Sequence, residues 1–70
     1  MMIYEVRYRL KGDPGPFVPL QKRAIGPDKD GLEKFKDMLN ESKNPYEYRL
    51  YSLFIPDDDW TPVVAADGTA

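Results

Sequence analysis

Carboxylate and guanidinium groups are the side chains of this sequence with chemistry to offer, because it contains no histidine and no cysteine. That removes ordinary zinc, haem and iron–sulfur ligation, and with it the imidazole and thiol routes to acid–base or nucleophilic catalysis. Three groupings remain: Asp28, Asp30, Gly31 and Asp37; Asp57, Asp58 and Asp59; and Arg7, Arg9, Lys11 and Arg49 with Tyr51.

The first grouping has the outline of a calcium loop, with aspartates at alternate positions before a glycine. Placing Gly31 sixth puts Gly26 and Pro27 at the first two positions and ends the loop on Asp37, where a bidentate glutamate is needed. Helix capping and turn formation account for these residues instead. The acids at 57 to 59 are consecutive, so an extended chain points them in different directions, whereas a hard cation takes about six or more oxygens. They read as a solvated turn that discourages edge-to-edge pairing, or as an acidic rim for a basic partner.

Catalytic patterns are missing as well. Ser42 and Ser52 are the only serines, and neither lies in a nucleophile elbow or beside a lysine motif. Gly12 and Gly15 are split by Pro14 with no helix directly after them, unlike a phosphate loop. Glu5 and Glu47 are expected to be neutralised by Arg49 and Arg7. Neither an enzyme, a cofactor, a metal site nor a small-molecule substrate is therefore expected.

Stepping along the chain, Tyr4-Glu5-Val6-Arg7 and Tyr46-Glu47-Tyr48-Arg49 form a near-repeat that alternates ring or aliphatic with charge. Period two means two β-strands, each with a dry and a wet face. Strand one covers Met2 to Lys11, with Met2, Tyr4, Val6, Tyr8 and Leu10 on one face and Ile3, Glu5, Arg7, Arg9 and Lys11 on the other. Gly12 to Pro16 is a hairpin loop, and Phe17 to Ile25 is an edge strand because Pro19 lacks an amide hydrogen.

Asp30 followed by Glu33 resembles a capping box, and a helix runs from there to about Ser42 with Leu32, Phe35, Met38 and Leu39 on its apolar stripe. Asn44-Pro45 stops it. Tyr46 to Ile55 is strand three and Trp60 to Val64 a short fourth strand.

These elements predict an α+β, two-layer fold, ββαβ(β), with one helix packed on a small antiparallel or mixed sheet of strand order 2-1-3-4. Residues 1–64 are expected to form a single compact domain and 65–70 a flexible C-terminal tail. Pairing Val6 with Tyr48 would set Glu5 against Arg49 and Arg7 against Glu47, making both charge pairs complementary.

Seventy residues make a small core, without disulfides to reinforce it. The formal charge is -2, divided between +3 over residues 1–23 and -5 over residues 24–70, which argues against a generally basic nucleic-acid binder. Lack of cysteine and of an apolar span of membrane length predicts a soluble cytoplasmic protein with no membrane role.

The second half of strand three is apolar on both faces: Tyr48, Leu50 and Phe54 on one, Tyr51, Leu53 and Ile55 on the other. The outer face must be covered by Trp60, Val63 and Val64 or by a partner. The expected function is a small protein-binding module, a regulator or inhibitor occupying a partner's surface, or pairing with a second copy of itself. Its patch is centred on Tyr51, Leu53, Ile55 and Trp60, with Arg7, Arg9 and Arg49 or Asp57, Asp58 and Asp59 as rim. The alternative is a nucleic-acid-binding module using Arg7, Arg9, Lys11, Arg49 and Tyr51 on the helix-free sheet face.

Overall fold

The computed structural model describes residues 1–57 and 59–63, so Asp58, Val64 and the tail expected over 65–70 lie outside the described residues. Its elements are β1 (Met2–Leu10), β2 (Val18–Gly26), α1 (Lys29–Glu41), β3 (Tyr46–Phe54) and β4 (Thr61–Pro62). They form an α+β fold in which one helix packs with a four-stranded antiparallel sheet of order β2-β1-β3-β4. The fourth strand is shorter than the Trp60 to Val64 expectation and pairs only Thr61 with Ser52 and Pro62 with Tyr51.

The expected register is overturned. Val6 pairs with Leu50, not Tyr48, which places Arg7 opposite Arg49 and Arg9 opposite Glu47. A shift of two residues keeps every side chain on its face, so alternation is blind to it. Two physical terms favour the observed pairing. It opposes all nine residues of β1 with all nine of β3, from Met2 with Phe54 to Leu10 with Tyr46. It also stacks the two best-buried aliphatic side chains, Val6 at 0 % and Leu50 at 2 % exposure, at the centre of the ladder. The expected pairing would have kept two complementary charge pairs, about 0.2–1 kcal/mol each, but it would have left the residues at the strand ends without partners in the ladder. Tyr8 follows with its ring 5.1 Å from Tyr46, edge-on, and 6.1 Å from Tyr48, stacked.

The helix is capped by Asp28, not through the Asp30/Glu33 box: the Asp28 carboxylate accepts the Gly31 N–H at 3.0 Å. A Cβ at residue 31 would collide with that carboxylate, so glycine and cap belong together. The stripe half-buried along α1 is Leu32, Phe35, Lys36 and Leu39. Met38 is 55 % exposed, against expectation. At 3.6 residues per turn it lies roughly a third of a turn from that stripe, whereas Lys36, read as lying away from the stripe, is half-buried within it. Asn40 reaches the sheet with its carboxamide, donating to the Tyr48 carbonyl at 3.0 Å and accepting the Tyr48 N–H at 2.9 Å. With Val63 N–H bonded to the Leu50 carbonyl, β3 has its outer edge covered by its own chain.

At the other edge, β2 is irregular. Val6 pairs with Ala24 but Arg7 with Pro19, so Leu20 to Arg23 bulge out of the ladder. The β1–β2 loop turns at Gly12, whose φ of +82° lies in the left-handed region that glycine enters without strain, and Asp13 N–H bonds back to the Leu10 carbonyl at 3.1 Å.

Candidate interaction face on the helix-free side of the sheet

Residues paired across an antiparallel ladder project to the same side, so the observed register gathers Glu5, Arg7 and Arg9 of β1 with Tyr51, Arg49 and Glu47 of β3 on the face away from α1. The sequence-derived face assignment holds while its charge pairs do not. Glu5, expected to meet Arg49, is completely buried and shares its carboxylate between Arg7 Nε at 3.0 Å and Arg23 Nε at 2.6 Å. Glu47, expected to meet Arg7, accepts Arg9 Nε at 2.5 Å. A buried carboxylate is tolerated only when its charge is met, and two guanidinium groups do so here. In return the Glu5 carboxylate, through its hydrogen bond and its charge, holds the Arg23 guanidinium above its ordinary pKa.

The arginines lie on aromatic rings. Arg7 Cζ stands 5.0 Å from the centroid of Tyr51 and 4.9 Å from that of Trp60, so its guanidinium bridges two rings. Arg9 and Arg49 both cover Phe17, at 4.3 and 4.7 Å. Phe17 is 8 % exposed and lies 6.0 Å from the Tyr51 ring. Each contact of this kind contributes about 0.5–1 kcal/mol at an exposed site and fixes the plane of a long side chain.

Phe17 belongs to this face although alternation alone does not place it there. Expected at the start of the edge strand, it instead ends the β1–β2 loop, and its ring lies by Tyr51 under Arg9 and Arg49. Arg9 secures that loop by donating Nη1 to the Gly15 carbonyl at 2.9 Å. Parity contains the signal: Val18 pairs with Tyr8 on the helix side, so the residue before it turns to the other side. The Glu5–Arg23 pair is likewise invisible to alternation, because the bulge beside it has no signature of period two.

The remaining predicted patch residues are placed as follows. Tyr51, Leu53 and Trp60 are half-buried, and Trp60 reaches the face through Arg7. Ile55 is exposed just beyond β3, and Asp57 and Asp59 are exposed in the connection to β4. Lys11 lies past the end of β1, its backbone N–H bonded to the Pro45 carbonyl at 2.9 Å. Among the described residues no helix is long and apolar enough to cross a membrane, and no group of three or more acidic side chains converges as a metal site would require.

Comparison with protein-family models, with curated proteins and with solved structures finds no match to this chain.

Proposed function

We propose that this protein is a small non-enzymatic protein-binding module, a regulator or inhibitor that acts by occupying a partner's surface with the helix-free face of its sheet. The observation that carries the reading is the set of guanidinium groups laid on rings: Arg7 on Tyr51 and Trp60, Arg9 and Arg49 on Phe17. Arginine, tyrosine and tryptophan are the residues over-represented at the energetic centres of protein interfaces. Side chains already held in place lose less freedom on docking, which leaves more of the contact energy for binding. Leu53 and Trp60 supply an apolar centre beside them, with Ile55, Asp57 and Asp59 at the border.

The nucleic-acid reading through Arg7, Arg9, Lys11, Arg49 and Tyr51 has less support. A base stacks on an open ring face, but Phe17 is covered by two guanidinium groups and Tyr51 by a third. Glu5 and Glu47 also take up charge that phosphates would need.

Affinity capture with native protein and the Leu53→Asp variant tests the proposal, alongside titration with single- and double-stranded oligonucleotides at low salt. The expected result is a stoichiometric protein partner, or a dimer by molar mass, that is lost in Leu53→Asp while its circular dichroism stays native. Oligonucleotide binding that weakens steeply with salt overturns it in favour of phosphate recognition.

A further inference from the structure

Arg7 and Arg49 are direct cross-strand partners on the two central strands. Like charges placed opposite each other cost stability, and neither side chain turns away: Arg7 is anchored on Tyr51 and Trp60, Arg49 on Phe17. Arg7 uses its Nε on Glu5 and, among the described residues, meets no second carboxylate. Arg49 forms neither an ion pair nor a side-chain hydrogen bond with any described residue, although its neighbours Arg7, Arg9 and Arg23 all do. Counting Arg7, Arg9, Arg23 and Arg49 against Glu5 and Glu47, the face carries a surplus of two positive charges on a molecule whose formal charge is -2.

Resting on the protein-binding reading above, we propose that the Arg7/Arg49 pair is the seat for a carboxylate of the partner, and that the partner presents an acidic segment in which a glutamate, aspartate or chain-terminal carboxylate is followed by an apolar side chain. A carboxylate has two oxygens and matches the planar fork of a guanidinium, so one such group relieves the repulsion between the two arginines and occupies the unused donors of Arg49. The apolar neighbour then meets Tyr51 and Leu53, which follow Arg49 along β3, and Trp60, which lies against Arg7; all three are half-buried. A continuous polyanion fits less well, because Glu47 flanks the pair at the next cross-strand position on the same face.

The test uses the full chain and a fluorescent peptide alternating glutamate with leucine, compared with the same peptide carrying glutamine for glutamate and with a single-stranded oligonucleotide of equal length. The glutamate peptide is expected to bind, and the glutamine peptide at least about tenfold more weakly. Arg49→Gln should weaken the glutamate peptide by a similar factor, and Arg49→Lys, which keeps the charge but not the fork, by less. Lys34→Gln on the exposed side of α1 serves as the control that changes charge without touching the face. Thermal melting verifies that each variant folds, and Arg49→Lys keeps the test valid if Arg49→Gln does not.

Equal affinity for both peptides, indifference to both Arg49 variants, or preference for the oligonucleotide overturns the carboxylate seat. Failure of this inference is separable from failure of the protein-binding reading. A captured protein that depends on Leu53 but not on Arg49 removes the seat alone, and loss of both dependences removes the docking face.

Discussion

Arg23 Nε lies 2.6 Å from the carboxylate of Glu5, joining a half-exposed side chain of the bulged edge strand to the only fully buried charge among the described residues. Arg7 completes the neutralisation from the same strand as Glu5. The pairing ties β2 to the central strand where the regular ladder is interrupted between Val6 and Arg7. It therefore takes over part of the work that backbone hydrogen bonds do elsewhere.

Removing these partners should have unequal effects. Arg7 is the better-buried partner, with a side chain 17 % exposed against 52 % for Arg23. Arg7→Leu is therefore expected to lower unfolding free energy more than Arg23→Leu, and the double variant to approach the about 3–5 kcal/mol that stranding a buried charge costs. Urea denaturation measures the series. Equal effects of the two single variants would show that burial does not rank the partners.

The raised pKa of Arg23 has a defined sign. Because Glu5 lifts it above its unfolded value, its stabilising contribution is fully present at every pH below that unfolded value and is lost only as pH rises through the folded one, in strong alkali. Over about pH 6 to 9 the stability difference between native protein and Arg23→Gln should stay constant. A difference that shrinks across this interval in denaturation midpoints would mean that another titrating group controls the contact.

Leu50 and Phe17 are two of the three buried hydrophobic side chains among the described residues. Leu50→Ala should cost about 2–5 kcal/mol and Phe17→Ala about 3–5 kcal/mol, enough to unfold much of a domain of this size, whereas Met38→Ala should stay within about 0.5 kcal/mol. Chemical denaturation separates them. A small effect of Phe17→Ala would show that the loop does not anchor on the sheet.

At the start of α1, Asp28→Ala should lose about 0.5–2 kcal/mol. Gly31→Ala pushes out the same carboxylate and so loses the same cap, but gains about 1 kcal/mol in helix propensity. The two changes should therefore be non-additive, with Asp28→Ala/Gly31→Ala more stable than Asp28→Ala alone. A double variant less stable than either single one contradicts the shared cap.

Asn40 provides a kinetic readout. Asn40→Ala removes both bonds to the Tyr48 backbone, worth about 0.5–1.5 kcal/mol each before water replaces them. The Tyr48 amide should then exchange with solvent faster while the Arg7 and Arg49 amides, paired between β1 and β3, keep their protection. Unchanged exchange at Tyr48 would place its protection elsewhere.

Much of the architecture follows from local patterns in the sequence. The alternation in Tyr4-Glu5-Val6-Arg7 and Tyr46-Glu47-Tyr48-Arg49 defines two strands and both of their faces, Pro19 marks the edge, and the hairpin with a right-handed crossover through the helix gives the observed strand order. Arg7, Arg9, Arg49 and Tyr51 are assigned to a common face on the same grounds. Tertiary structure decided which of these residues meet. Period two cannot distinguish a register from one shifted by two residues, so full strand overlap and the burial of Val6 against Leu50 chose the pairing, and with it the opposition of Arg7 to Arg49. The bulge that brings Arg23 to Glu5 and the burial of Phe17 under Arg9 and Arg49 are likewise long-range consequences: parity gives the side on which Phe17 lies, but what meets it there depends on the pairing between strands.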